Sequence, residues 1–168
     1  MGSDNSTDQS CMCTRRAILL LVVLLAAPLP GRAAPPPLQQ FASAQLTIVS
    51  ASGRHQFNIE LAETPAQQEQ GLMFRRTLAP DAGMLFDFKD PTVATMWMHN
   101  TLIPLDMLFV DQHGRIVNIA QRAVPESDAT IAAAAPVRAV IELNGGTAAR
   151  LDIKPGDRVL YPIFTGPS

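Results

Sequence analysis

Alternation of apolar and polar positions from about residue 45 onward predicts a β-rich protein. Leu46 and Ile48, and then Phe57 and Ile59, alternate with polar residues, which is typical of strands with one buried face. Ala51-Ser52-Gly53 separates the two runs and predicts a hairpin turn. Further strands are expected at residues 83–88, 94–99, 105–111, 115–124, 139–143 and 158–163. The links between them are short, which favours antiparallel pairing.

One helix start stands out among the strands. Thr64 can cap the helix, Pro65 suits its first position and Gln67 can complete a capping box. The helix is expected to run to about Phe74, with close backbone packing at Gly71. Residues 147–151 could form one short helical turn. We therefore predict a mainly β, β-rich α+β domain: an antiparallel β-barrel or jelly-roll-like sandwich with one short flanking helix.

The beginning of the chain is different in kind. Arg15-Arg16 precede an aliphatic run from Ala17 to Ala27, and Ala33-Ala34 offer small residues for cleavage. The run is about half of the roughly 20 residues that a membrane-spanning helix needs. We therefore expect residues 1–34 to be a cleavable signal peptide, which is the chain's contact with a membrane, and the protein to be periplasmic or extracellular. The ordinary secretory route is favoured over twin-arginine export, with which the arginine pair is also compatible.

Cleavage changes the composition that remains. Residues 35–44 are rich in Pro, Gln and Ala and are expected to be a flexible lead-in to one domain at residues 45–164. Cys11 and Cys13 leave with the signal, so the mature chain has no thiol. It retains 10 basic and 13 acidic residues, a net charge of −3. This mild acidity argues against a nucleic-acid partner.

Charged side chains within apolar strands are the candidates for chemistry. Asp106 shares a strand face with Leu108 and Val110, and Glu142 stands between Ile141 and Leu143. The two carboxyls could act as an acid/base pair, although the favoured interpretation is that each accepts backbone N–H bonds, Asp106 from the nearby turn at residues 100–104.

Arginine and sulfur side chains supply two further hypotheses. Arg75 could turn inward to pair with Asp106 or Glu142, either as a structural bridge or as the floor of a ligand pocket. Met96, Met98 and His99 could bind Cu(I), although methionines at this spacing are more typical of a core. His55 and His113 have no zinc-like spacing, and no metal or cofactor is predicted.

Several segments, taken in order, resemble one family. They are Gln70-Gly71-Leu72-Met73-Phe74-Arg75, Gly83-Met84-Leu85-Phe86-Asp87-Phe88, the run Trp97-Met98-His99-Asn100-Thr101-Leu102-Ile103-Pro104-Leu105-Asp106, Ile141-Glu142-Leu143-Asn144-Gly145-Gly146 and Gly156-Asp157-Arg158-Val159. This pattern resembles the domain of unknown function 192 family. The resemblance implies a single barrel-like or jelly-roll-like domain, often exported, and it supplies no catalytic residues.

Our leading hypothesis is an exported, non-enzymatic domain that binds a small organic or sugar-like ligand or serves as an accessory module. The candidate binding cluster consists of Arg75, Trp97, Met98, Asn100, Thr101, Asp106 and Glu142. A hydrolase or lyase using Asp106 and Glu142 is the alternative, and Cu(I) binding is the third hypothesis. The acid/base hypothesis requires both carboxyls in one cleft, so their placement on opposite faces of the sheet would exclude it.

Overall fold

The computed structural model describes residues 38–164, so the predicted signal peptide and the first residues of the lead-in lie outside it. The elements are β1 (Ala42–Ser50), β2 (Gly53–Ala62), α1 (Pro65–Gln70), β3 (Ala82–Thr92), β4 (Thr95–Met96), β5 (Leu105–Val110), β6 (Ile116–Ala123), β7 (Ile131–Ala132), β8 (Val137–Asn144), α2 (Thr147–Arg150) and β9 (Arg158–Leu160). The mainly β prediction is confirmed, with two short helices in place of one.

Seven strands form one curled sheet in the order β6-β5-β8-β3-β2-β1-β9, and β4 pairs with β7 separately. The two edges of the large sheet meet at one end. Arg115 and Arg158 form an isolated antiparallel bridge there, and the N–H of Val159 donates to the Gly114 carbonyl at 2.7 Å. The sheet is therefore a half-barrel whose edges close only locally.

One pair of strands departs from the antiparallel prediction. β2 and β3 run parallel, with Leu61 opposite Leu85. Parallel neighbours require a long crossover, and the connection at residues 63–81, which includes α1, supplies it. The predicted all-antiparallel sheet is wrong at this pair because α1 is the crossover element and not a peripheral addition.

Several boundaries differ from the predictions, and three of them matter for the site or the lead-in. α1 has the expected capping box at Thr64 and Gln67, but it ends at Gln70 because Gly71 adopts a φ of +47°. β1 begins at Ala42, within the segment expected to be lead-in. The strand expected at residues 94–99 is reduced to Thr95–Met96, and the chain turns soon afterwards at Asn100, where φ is +52°.

Both faces of the sheet are buried. The concave interior holds an apolar cluster that includes Phe57, Leu108 and Ile141. The outer face carries a second cluster, including Phe86, Met98 and Phe109, which α1 and the loops around β4 and β7 help to cover. β5, with all six residues buried, contributes to both clusters by alternation. No helix in the described part of the chain is long and apolar enough to cross a membrane.

Candidate functional site

A cleft of about 140 Å³ opens on the outer face of the sheet. One wall consists of α1 and the segment that follows it, and the other contains β4 and the start of the loop at residues 97–104. Side chains of β3 and β8 lie beneath. The lining residues are Gln68, Glu69, Gln70, Gly71, Leu72, Met73, Phe86, Phe88, Thr95, Met96, Trp97, Thr101 and Glu142. A volume of this size accommodates several water molecules or one small organic group.

The first wall depends on how the chain leaves α1. Gly71 has a φ of +47°, and a Cβ atom added there would lie 3.0 Å from Cζ of Phe86. A glycine permits both the left-handed backbone and the contact between the backbone and the ring. The segment after α1 therefore lies directly against β3, which brings Leu72 and Met73 to the cleft. This is the close packing that the sequence predicted at Gly71.

The second wall is the turn that begins at Trp97. The indole is half exposed and lies 5.4 Å, centroid to centroid, from the His99 ring. The Asn100 carbonyl accepts a hydrogen bond from the N–H of Phe74 at 2.9 Å, which ties the two walls together. Thr101 is buried, and its hydroxyl donates to the His99 carbonyl at 3.2 Å. Asn100 thus contributes to the site through its backbone.

Glu142 lies at the base of the cleft. It sits on β8 between Met84 of β3 and Met107 of β5, its direct neighbours in the sheet. The residue is only 4% exposed, and no described residue forms a hydrogen bond or ion pair with its carboxyl. Burial raises the pKa of the Glu142 carboxyl to about 8. A buried carboxyl without a protein partner, beside open space, can donate a hydrogen bond when protonated or face a cation when ionised.

Asp106 lies on the opposite face of the sheet. It is paired with Leu143, whereas Glu142 is paired with Met107, and adjacent positions on a strand point to opposite faces. The two carboxyls therefore cannot work as an acid/base pair, and the hydrolase or lyase hypothesis is wrong in this form. The same placement removes Asp106 from the predicted binding cluster.

Asp106 has a structural role. It is fully buried, and its carboxylate accepts backbone hydrogen bonds from Arg122 at 2.8 Å, Gly146 at 2.9 Å and Ala148 at 2.8 Å. The carboxylate thereby fixes the glycine turn after β8 and the first turn of α2. Backbone bonding was the favoured interpretation of Asp106, but the predicted donor, the turn at residues 100–104, is wrong.

Arg75 also departs from its predicted partners. Its guanidinium forms two hydrogen bonds with Glu60 of β2, at 2.8 Å from Nη1 to Oε1 and 2.5 Å from Nη2 to Oε2. The same group lies 5.8 Å from the Phe41 ring. Its pairing with Asp106 or Glu142 is therefore wrong, and Arg75 does not line the cleft. Glu60 was overlooked because parallel pairing of β2 and β3 was not expected.

The three residues of the copper hypothesis occupy different environments. Met98 is fully buried in the apolar cluster of the outer face, and Met96 lines the cleft. His99 is largely exposed, and its Nδ1 lies 2.6 Å from Oδ1 of Asp128. The chain leaves strand geometry after Met96, and Met96 packs against the apolar cluster that contains Met98, whereas His99 pairs with Asp128. Among residues 38–164, no group of three or more His, Cys, Asp or Glu side chains is arranged to hold a metal ion.

Three members of the predicted cluster, Trp97, Thr101 and Glu142, do line the cleft. Sequence reasoning missed the residues contributed by α1 and β3. Phe86 and Phe88 alternate along β3 on the same face as Glu142, but only the crossover by α1 makes this face a cleft wall. The capping box located α1 in the chain, and nothing in the sequence indicated which face of the sheet it covers.

Two solved structures resemble this domain over most of its length. One is a protein from Sinorhizobium meliloti 1021 named as a candidate transcription regulator, with 48% identity, a TM-score of 0.71, and coverage of 74% of this chain and 97% of the relative. The other is a protein of unknown function from Novosphingobium aromaticivorans DSM 12444, with 48% identity, a TM-score of 0.71, and coverage of 77% and 94%. No significant match was found among curated proteins.

Residues 47–161 match the profile of the DUF192 family, described as "Uncharacterized ACR". The match includes every segment on which the resemblance rested. It begins within β1 and ends just beyond β9, so it includes residues of every strand of the curled sheet. The chain belongs to the domain of unknown function 192 family.

Proposed function

We propose that this chain is an exported accessory protein whose mature domain binds a small organic ligand in the cleft above Glu142. The observation that carries the proposal is the Glu142 carboxyl, which is buried at the base of the cleft and has no partner among the described residues. The carboxyl oxygens are not sealed in the core but open to the cleft, where a ligand could supply the hydrogen-bond partner that the described residues do not.

The lining supports this proposal. Phe86, Phe88 and Trp97 provide aromatic surface, while Thr101 and Glu142 provide polar atoms beneath. Small-molecule sites commonly combine apolar walls with a few placed polar groups. Of the two carboxyls that line the cleft, Glu142 is buried at the base and Glu69 is exposed to solvent, so we favour binding over acid/base catalysis.

Trp97 provides a direct test, because it is the chain's single tryptophan and it lines the cleft. The purified protein would be titrated with small neutral polyols, sugars, alcohols and amines while indole fluorescence and melting temperature are followed. We expect at least one class to change both signals. With Trp97→Ala, at least tenfold more ligand should be needed to give the same thermal shift, since the cleft loses part of a wall.

Leu102→Ala is the matched control for this experiment. Leu102 is an exposed apolar residue of the same loop, but it does not line the cleft. Its replacement should leave the ligand response unchanged. If no compound class changes either signal, or if both variants weaken the response equally, the binding proposal is wrong.

Export is a separate part of the proposal and rests on the first 34 residues. The full chain would be produced in a Gram-negative host, fractionated, and sequenced at its N-terminus. We expect a periplasmic protein that begins after Ala33 or Ala34. Leu21→Arg, which interrupts the apolar run, should leave the precursor uncleaved. Replacing Arg15 and Arg16 by lysine should stop export only if the twin-arginine route is used. Full-length wild-type protein in the cytoplasm would contradict the proposal.

Nucleic-acid binding is not part of the proposal. The mature chain would carry 13 acidic and 10 basic residues, whereas binding to nucleic acid requires concentrated positive charge. We therefore do not extend the description of one structural relative as a candidate transcription regulator to this chain.

A further inference from the structure

The charge of the cleft is negative. Two carboxyl groups line it, Glu142 at the base and the exposed Glu69 at the rim. The described lining residues include no lysine, arginine or histidine. A carboxylate ligand would therefore have no cation to bind and two acids to oppose it.

The neighbouring cations are already engaged elsewhere. Arg75 binds Glu60, Lys89 binds Asp87 at 2.8 Å, and His99 binds Asp128. In the sheet, Glu142 is flanked by two methionines, and Asp106 lies on the other face. Glu69 of α1 is thus the titratable group that shares the cleft with Glu142, and the described part of the protein supplies no counter-charge there.

Two uncharged residues of the lining, Gln68 and Thr101, present hydrogen-bond acceptors, while Gln70, whose Oε1 accepts from the Gln39 N–H, keeps its NH₂ donors. Nε2 of Gln68 donates to the Ala62 carbonyl at 3.3 Å and to the Asp87 carbonyl at 2.9 Å. Both amide hydrogens are used, which leaves Oε1 as an acceptor. The Thr101 hydroxyl donates its hydrogen to the His99 carbonyl, so its lone pairs remain. A ligand that donates several hydrogen bonds suits these groups.

The walls of the cleft suit an alkyl chain and a positive charge. Phe86, Phe88 and Trp97 contribute aromatic rings to the lining, and Met73 and Met96 contribute flexible apolar surface. Aromatic faces attract cations electrostatically, most strongly where water is excluded. At about 140 Å³, the cleft has room for one cationic head group and a short chain.

We propose that the ligand of this cleft is a small organic amine in its protonated form, with its ammonium group directed at Glu142. The inference rests on the proposed ligand-binding function and specifies the ligand class. An ammonium group donates three hydrogen bonds, and Glu142, Gln68 and Thr101 can accept them. The ion pair forms only with ionised Glu142, so amine and proton compete for the carboxyl.

Competition with the proton gives a signature in pH. Because burial raises the pKa of Glu142 to about 8, the carboxyl is mostly protonated at pH 6. The affinity for a permanently protonated amine should therefore rise about tenfold per pH unit from pH 6 toward 8 and level off above. A neutral ligand that accepts a hydrogen bond from protonated Glu142 should show the opposite dependence.

The test uses n-butylammonium and its uncharged analogue 1-butanol, titrated into the purified protein at pH 6, 7, 8 and 9 with Trp97 fluorescence as readout. We expect the ammonium compound to bind at least tenfold more tightly than the alcohol at pH 8, with the rise described above. Glu142→Gln should remove both the preference and the pH dependence. Glu63→Gln removes a carboxyl outside the cleft and should change neither.

The failures of the two proposals can be told apart. If 1-butanol or a sugar binds and its affinity falls as the pH rises, the cleft binds ligands but the amine assignment is wrong. A flat pH profile for n-butylammonium, or retention of its preference in Glu142→Gln, also overturns the assignment. If no compound of any class binds, ligand binding by the cleft is wrong together with the amine assignment.

Discussion

Two buried carboxyls on neighbouring strands have opposite local environments. Asp106 receives three backbone N–H groups on the concave side of the sheet. Glu142 receives none from the described residues on the outer side and faces a cleft. A buried charge is tolerated when several donors stabilise it, while an unpartnered carboxyl retains its proton. Asp106 thus stabilises the fold, and Glu142 is available to a ligand.

Replacing Asp106 tests the structural role. Asp106→Asn substitutes one amide oxygen for two carboxylate oxygens and places an NH₂ group among backbone donors. At least one buried N–H then loses its acceptor, so the free energy of unfolding should fall by about 2 to 4 kcal/mol. Urea unfolding measures this change. Asp111→Asn, in an exposed turn where Asp111 accepts from His113 and Arg115, should cost less than about 1 kcal/mol. Equal losses would contradict the interpretation.

Glu142 makes stability depend on pH. The ordinary pKa of a glutamate carboxyl is 4.5, and burial raises the pKa of Glu142 to about 8. The folded protein binds more protons between these values, so the free energy of unfolding should fall as the pH rises from about 4.5 to 8. Glu142→Gln carries no charge. The difference in the free energy of unfolding, Glu142→Gln minus wild type, should therefore increase by on the order of a few kcal/mol from pH 5 to pH 8.

Urea unfolding at several pH values measures this difference. Glu63→Gln removes an exposed carboxyl and should follow the wild-type curve. Parallel pH curves for Glu142→Gln and the wild type would show that the Glu142 carboxyl does not change its protonation in this range.

The sequence singled out Asp106 and Glu142 as candidate buried carboxyls, because each is a charged residue within an apolar strand. It could not predict that they lie on opposite faces, since that depends on the register between β5 and β8, which pairs Asp106 with Leu143. A shift of one residue would have placed the two carboxyls on the same face. Register is a long-range property, and no turn connects these two strands directly.

Among the elements, α1 connects the fold to the candidate site. It forms the crossover between the parallel strands β2 and β3, and its residues line the cleft. Its start was predictable because a capping box is a local signal. Its end was expected near Phe74, whereas the helix ends at Gln70, because Gly71 adopts a positive φ and its backbone lies against the Phe86 ring.

The capping box gives a prediction for this element. The Thr64 hydroxyl accepts from the N–H of Gln67 at 3.3 Å, and Oε1 of Gln67 accepts from the N–H of Thr64 at 3.0 Å. Thr64→Ala should lower the free energy of unfolding by about 1 kcal/mol and speed hydrogen exchange at the Gln67 amide. Thr130→Ala, at an exposed position outside the strands and helices, should stay within about 0.5 kcal/mol of the wild type. Unchanged exchange at Gln67 would show that the cap does not hold the helix.

The whole molecule is a sheet with a buried cluster on each side, closed where its edge strands meet. The barrel-like class was predictable from the number and spacing of strands. The parallel pair was not, because the helical crossover resembled a peripheral helix. Both faces of β5 are buried, as its nearly continuous apolar run allows. Burial of the second face depends on loops whose sequence carries no periodic signal.

Closure of the sheet depends on Gly114. Its φ is +77°, and a Cβ atom there would lie 2.5 Å from the Val159 carbonyl oxygen. Gly156 also has a positive φ, +99°, but a Cβ atom added to Gly156 would have no other atom within 4 Å. Alanine at either site strains the backbone, but only Gly114→Ala also pushes β9 away. Gly114→Ala should therefore cost at least about 2 kcal/mol more than Gly156→Ala in urea unfolding.

Hydrogen exchange at Val159 locates the effect, since its N–H donates to the Gly114 carbonyl. Faster exchange there in Gly114→Ala, with little change in Gly156→Ala, is the expected result. Equal stability losses in the two variants would mean that the contact between the edges contributes little.

The pairing of β1 with β9 has a consequence for the order of folding. Thr47 pairs with Leu160, so the first strand of the domain finds one of its two neighbours only when nearly all of the domain has been synthesised. Forming such a contact closes a very long loop, which slows folding. A chain that emerges from the ribosome therefore spends time with β1 paired on one side only. For the export proposed above, which the signal segment suggests, that delay would lengthen the time in which the chain has not yet closed its sheet and a chaperone could hold it open.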